Sequence, residues 1–136
     1  MTAIPTSLRR LAIQRSNNRC EYCGISQIGQ VATFHIDHVV PIAAGGGTIA
    51  ENLALACVSC SLRKGARQTF KDSETGEVVF IFNPRLQLWQ EHFAWNGVQL
   101  LGLTAIGRVT IQALDLNRST MLAIRAEEEL LGRHPP

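Results

Sequence analysis

No run of this chain approaches the roughly 20 apolar residues that a membrane-spanning helix needs. Its opening residues, Met-Thr-Ala-Ile-Pro-Thr-Ser-Leu-Arg-Arg, carry no long apolar stretch and so do not read as a secretory signal. Internal repeats and low-complexity segments are lacking too. Cysteine is scarce, with four in 136 residues, and none is left over from a pairwise pattern. Nothing indicates export, so disulfides are not expected. These absences point to a soluble, cytoplasmic protein in a reducing compartment. With 46% hydrophobic and 18% charged residues, the chain has enough apolar material for a core.

The four cysteines form two C-x-x-C pairs, Cys20-Glu-Tyr-Cys23 and Cys57-Val-Ser-Cys60. Thiolates spaced this way turn inward onto one ion, and two such pairs complete a tetrahedral Zn²⁺ site. A chain of this size does not need a zinc staple to build a core. The ion is therefore expected to act locally, fixing loops too short to pack.

Net charge is only +2, but it is unevenly placed. Residues 1–71 carry a net +5 and residues 72–136 a net −3. The basic half holds the cysteines, which suits a polyanionic partner at that end. Arg63, Lys64 and Arg67 follow the second pair and could meet phosphates, which position nucleic acid without reading its sequence. Equally, they could be the solvated C-terminus of a helix, favoured by its dipole.

The pattern predicts a short helix over residues 7–16, with Leu8, Leu11 and Ala12 as its apolar stripe and Thr6 or Ser7 as its cap. Val31 to Val40 is β-branched and aromatic, and reads as a strand ending before Pro41. Residues 43–48 form a flexible glycine loop, and residues 52–56 a second short strand. A helix begins near the second cysteine pair and runs to Ala66. A linker is expected near 68–76, then a strand over 77–82. Asn83-Pro84 reads as the start of a helix to residue 92. Asn96-Gly97 marks a hairpin, Thr104 starts a helix to about Leu116, and Asn117 or Ser119 caps a last helix ending at Gly132. Trp89, His92, Phe93 and Trp95 are read as packing between extension and core, and His134 as disordered surface.

Between the cysteine pairs lies Phe34-His35-Ile36-Asp37-His38-Val39-Val40-Pro41. Phosphodiester hydrolysis requires an activated water, a cation near the phosphoryl oxygens and help for the leaving oxygen. Asp37 offers a hard oxygen ligand, and His38 carries an imidazole that can take a proton from water. Adjacent strand residues face opposite ways, so a shared site requires the strand to bend, as Pro41 and the glycine loop allow. His35 shares the Asp37 face. It reads as an auxiliary ligand, a phosphate-orienting group, or a partly buried histidine bonded to backbone.

The sequence Asp-His-Val-Val-Pro, then Gly-Gly-Gly, Asn52-Leu53 and Cys-x-x-Cys-Ser-x-x-Lys-Gly resembles the HNH endonucleases of the ββα-metal (His-Me finger) superfamily, in their zinc-bearing branch. The likeness runs from about Arg19 to Arg67. It implies an α+β fold: a ββα-metal nuclease core stapled by a four-cysteine zinc site, with a C-terminal hairpin-plus-helices extension. Residues 1–70 would form the core and 71–136 the extension. It also implies Asp37 as catalytic metal ligand, His38 as general base and Asn52 as the residue holding the loop behind the base. The third motif position, usually His or Asn, is Ser61 here. A neutral hydroxyl is a weaker ligand of shorter reach, so Ser61 binds through water, or His35 helps, or metal affinity is reduced.

The expected function is a DNA endonuclease with structural Zn²⁺ and catalytic Mg²⁺ or Mn²⁺. The alternatives are a zinc-stabilised nucleic-acid-binding module that does not cut, and a zinc module for protein contact.

Overall fold

A computed structural model describes residues 3–136. Helix α1 spans Thr6–Arg15. Backbone starts it: the Pro5 carbonyl accepts from Leu8 N (3.1 Å) and Arg9 N (3.0 Å), and neither Thr6 nor Ser7 caps the helix with its side chain. The apolar stripe is narrower than the pattern suggested, since Ala12 is buried while Leu11 is 38% exposed.

Strands β1 (His35–His38) and β2 (Leu53–Ala56) pair antiparallel, His38 opposite Leu53 and His35 opposite Ala56. The first strand is much shorter than the β-branched run implied. The Gln27 side chain accepts from Phe34 N (2.7 Å) and donates to Ala32 O (3.0 Å), which holds the approach as a loop and leaves Val31 fully in solvent. Helix α2, Val58–Lys64, follows β2 after one residue and ends at Gly65 rather than Ala66. Strand, strand and helix in this order make a ββα core.

The expected linker is a folded hairpin. Strand β3 (Thr69–Lys71) pairs with β4 (Val78–Phe80). Its turn is organised by Asp72, whose buried carboxylate accepts from Glu74 N (3.1 Å), Thr75 Oγ1 (3.1 Å) and Arg108 Nη2 (3.0 Å). Asn83-Pro84 starts a turn instead of a long helix. Gln87 folds back to accept from Asn83 N (2.9 Å), and Leu86 and Leu88 stay exposed, so no inward stripe exists to bury a helix there. Helix α3 covers only Trp89–His92.

Strands β5 (Phe93–Asn96) and β6 (Gln99–Gly102) form a hairpin with a two-residue Gly97-Val98 turn. Gly97 has φ +62°, which a turn of this kind requires. Thr104 caps helix α4 (Ala105–Leu114) by accepting from Gly107 N (3.1 Å). Helix α5 spans Ser119–Leu130 without a side-chain cap. Asn117 instead binds Leu100 on β6, accepting from its N (2.8 Å) and donating to its O (2.7 Å).

One hydrophobic cluster joins the cysteine region to the later elements: Tyr22 and Leu55 meet Phe82, Phe93, Leu100 and Met121. Each such side chain contributes about 1.5–3 kcal/mol when fully buried. The aromatic group packs as read, with Trp89 stacked on Phe93 at 5.0 Å and donating from Nε1 to Tyr22 O (3.0 Å). His134 is not disordered surface. It is buried edge-on against Trp95, with Nε2 2.9 Å from Gly97 O. Among the described residues, no helix is long and apolar enough to cross a membrane.

Candidate active site and metal centre

The first cysteine pair sits in a tight turn, where Cys20 N donates to Ile25 O (2.9 Å) and Gly24 N to Cys20 O (2.9 Å). Glu21 docks this turn on β2. Its backbone N donates to Leu55 O (2.9 Å), its carboxylate accepts from Leu55 N (3.0 Å), and Arg85 pairs with it. The second pair opens α2, where Cys57 Sγ accepts from Cys60 N (3.4 Å). The four Sγ atoms lie within 4.8 Å of one another, all are buried, and none is in a disulfide. Cys23 Sγ and Cys57 Sγ are 3.7 Å apart. Four sulfurs placed tetrahedrally at the usual zinc–sulfur distance would be about 3.8 Å apart. The donor set therefore fits Zn²⁺.

Protonation supports the same conclusion. Hydrogen bonds from Cys20, Cys23 and Cys60 hold the Cys57 thiol far below the ordinary range. Contact with Cys20, other sulfurs and burial push Cys23 and Cys60 well above it. Without a cation these buried sulfurs cannot all ionise, and a divalent ion relieves that repulsion.

A groove of about 750 Å³ runs along β1 and α2, lined by His35, Asp37, His38, Ser61 and Arg9 among others. Strand alternation turns His35 and Asp37 toward α2, where Ser61 and Lys64 lie one turn apart. His35 Nδ1 is 2.9 Å from Ser61 Oγ. Asp37 accepts from Tyr22 OH (2.8 Å), and Lys64 Nζ lies 3.2 Å from its Oδ2. Burial raises the Asp37 pKa, while Lys64 and Tyr22 pull it back down.

His38 ends the strand and points the other way, with Nε2 2.9 Å from Thr48 Oγ1. The chain then bends, which lets Asp37 and His38 line one groove. Asn52 holds the bend: Oδ1 accepts from Val40 N (2.8 Å), and Nδ2 donates to Val40 O (3.0 Å) and Gly47 O (2.9 Å). A Cβ on Gly46 would lie 1.8 Å from Val40 O, so only glycine fits against the bend. The glycine loop is thus tied at both ends instead of being loose.

Lys64 does not join the exposed basic cluster expected of it. It is 2% exposed and also donates to His38 O (3.1 Å), so its charge is spent on the strand. Arg63 and Arg67 do face solvent. Arg63 is 3.8 Å from Asp115, and Arg67 lies over the Phe70 ring at 5.4 Å. Three residues went unread in the sequence, Arg9 lining the groove and Thr48 and Tyr22 bonded to groove side chains. Thr48 follows the glycine triplet, Tyr22 lies within the first cysteine pair, and Arg9 belonged to a diffuse excess of positive charge. Among the described residues, the cysteine quartet alone brings three or more His, Cys, Asp or Glu ligand atoms close enough for one ion.

Residues 20–67 match the family model described as HNH endonuclease. The match covers roughly a third of the chain and runs from the first cysteine to just beyond α2. An HNH endonuclease domain thus overlaps the four-cysteine cluster, as in the zinc-bearing His-Me finger branch. No curated protein and no solved structure matches the chain.

Proposed function

We propose that this protein is a metal-dependent DNA endonuclease in which His38 is the general base. The observation that carries this reading is the seating of His38. Its Nε2 meets Thr48 Oγ1 at 2.9 Å at the end of β1, and His38 lines a groove of about 750 Å³ together with Asp37, His35 and Ser61. With Nε2–H donated to Thr48, the lone pair on Nδ1 is the proton acceptor for an attacking water. Asn52 and Gly46 keep the following loop from shifting the imidazole. Arg9, Arg63 and Arg67 supply exposed positive charge for DNA phosphates.

A divalent ion such as Mg²⁺ or Mn²⁺, held by Asp37 with His35 and Ser61 alongside, would supply the charge that phosphoryl oxygens require during in-line displacement. One carboxylate with waters and substrate phosphate is the minimum of the usual Mg²⁺ pattern. The products would be 5′-phosphate and 3′-hydroxyl ends.

Supercoiled plasmid nicking with Mg²⁺ or Mn²⁺ tests the reading, with His38→Ala as control. Nicking by the native chain that disappears in the variant supports it. Equal nicking by both would assign the cleavage to another source. The second reading is a zinc-stabilised nucleic-acid-binding module that does not cut. The Asp37–Lys64 ion pair favours it, because the carboxylate is already neutralised. Retained DNA binding without any nicking would establish that reading instead.

A further inference from the structure

Arg125 lies on α5 and is 2% exposed. Its Nη1 donates to Val98 O (2.9 Å) and Asn117 Oδ1 (3.2 Å), and its Nη2 to Leu116 O (2.7 Å). Its Nε has no hydrogen-bond partner, and its guanidinium sits 5.0 Å from the Trp95 ring centroid. Every protein acceptor here is neutral. Among the described residues, no carboxylate pairs with Arg125. Burying a guanidinium among neutral partners is unfavourable, and a negative charge close by offsets that cost.

A small cavity is lined by Arg125, Cys23, Glu128 and His134. Glu128 is already engaged, accepting from Arg133 Nη2 (2.7 Å) and Nε (3.1 Å). The other group beside the cavity that can carry negative charge is Cys23, one of the four clustered sulfurs. Four thiolates around one divalent cation carry two formal negative charges in excess, and the set is buried.

We propose that Arg125 is the counter-charge of the four-cysteine zinc centre, so that α5 controls how firmly zinc is held. The electrostatics agree in direction: burial lowers the Arg125 pKa, and charge on Cys23 and Cys60 opposes that fall. Residues beside a metal's ligands commonly set its retention. Arg125 lies far beyond the matched segment of residues 20–67. The inference does not depend on nuclease activity.

The test uses the zinc-loaded full chain and two variants. Arg125→Gln keeps hydrogen-bond donors and removes the charge. Arg125→Lys keeps the charge and alters the geometry. Zinc transfer to excess chromogenic chelator should be about tenfold or more faster in Arg125→Gln, the scale seen when a metal ligand's neighbour is lost, and close to native in Arg125→Lys. In the Co²⁺-substituted protein, the thiolate-to-cobalt charge-transfer band should move to lower energy in Arg125→Gln alone, because removing a nearby cation raises the energy of sulfur electrons. Equal release and equal spectra in both variants would overturn the proposal, leaving Arg125 a hydrogen-bonded anchor of α5. Failure of both variants to fold in the presence of zinc would overturn it likewise, since Arg125→Lys retains the charge.

Discussion

Lys64 Nζ lies 3.2 Å from Asp37 Oδ2, with both side chains almost out of solvent, and the same ammonium donates to the carbonyl of His38. One cation from α2 therefore fixes both the carboxylate and the backbone of the neighbouring histidine. Tyr22 OH holds the carboxylate from the cysteine turn. The groove's geometry is set by contacts behind it.

Removing Lys64 should expose the cost of burying Asp37. Lys64→Met is expected to destabilise the protein by about 3–5 kcal/mol near neutral pH, the usual effect of orphaning a buried charge. The Asp37 pKa is already raised by burial, and loss of Lys64 raises it further. A carboxyl group with a raised folded-state pKa favours folding while protonated and loses that advantage as pH rises through the folded pKa. The deficit of Lys64→Met should hence shrink on mild acidification. Denaturant unfolding of both proteins at the two pH values, with zinc saturating, checks this. A deficit that grew in acid would contradict the pairing.

Zinc binding should release protons. Cys23 and Cys60 are held protonated in the metal-free cluster and must ionise to bind. The purified chain is expected to carry about one zinc, the capacity of a single four-cysteine site, with apparent affinity falling as pH falls. Calorimetry in two buffers of different ionisation enthalpy measures the protons released. Buffer-independent heat would count against the four-thiolate set. Cys57→Ser should unfold the domain at zinc concentrations that sustain the native chain.

His38→Ala should lower nicking by about 10²-fold or more, the scale of general-base loss, while keeping zinc and fold. Thr48→Val should reduce the rate less and leave DNA affinity unchanged, and Thr48→Ser should restore it. A Thr48→Val protein as fast as the native one would deny Thr48 its orienting role.

Gly46→Ala tests the bend. The added methyl meets the Val40 carbonyl and the Asn52 amide, so the loop must move. A loss of about 1–3 kcal/mol, the usual cost of forced overpacking, should accompany loss of nicking. Calorimetric melting alongside the plasmid assay reads both, and an unchanged variant would show the loop to be slack.

Arg9 should act on DNA without selectivity. It lines the groove from α1, outside the matched segment, and among the described residues it forms no ion pair. Arg9→Ala should weaken binding similarly across sequences and reduce the slope of log affinity against log salt by about 1. Anisotropy titrations with His38→Ala as background give the slope, and no change would place Arg9 off the DNA path.

The metal centre and the strand-strand-helix order were legible because their signals are local: two cysteine spacings, an Asp-His pair and a short apolar run. Lys64 was not. Lysine is seldom buried, and its partner Asp37 lies on another element. Asn83-Pro84 carries a correct local signal, but Leu86 and Leu88 find nothing to pack on, and a turn results. Residues 68–76 look like linker by composition, yet Asp72 reaches Arg108 on α4 and orders them. Such outcomes depend on neighbours that sequence spacing does not bring together.

Both tryptophans of the chain lie in one cluster, 5.4 Å apart, and the Trp89 indole donates to the carbonyl of Tyr22 between the first two cysteines. Ultraviolet emission from this protein consequently originates in one small region, beside the cysteine turn. Loosening of that turn frees the indole N–H and wets the ring, so wavelength and intensity report locally rather than averaging over the fold. The chain carries its own optical gauge of whether the first cysteine pair is in place, and no dye or label is needed to read it.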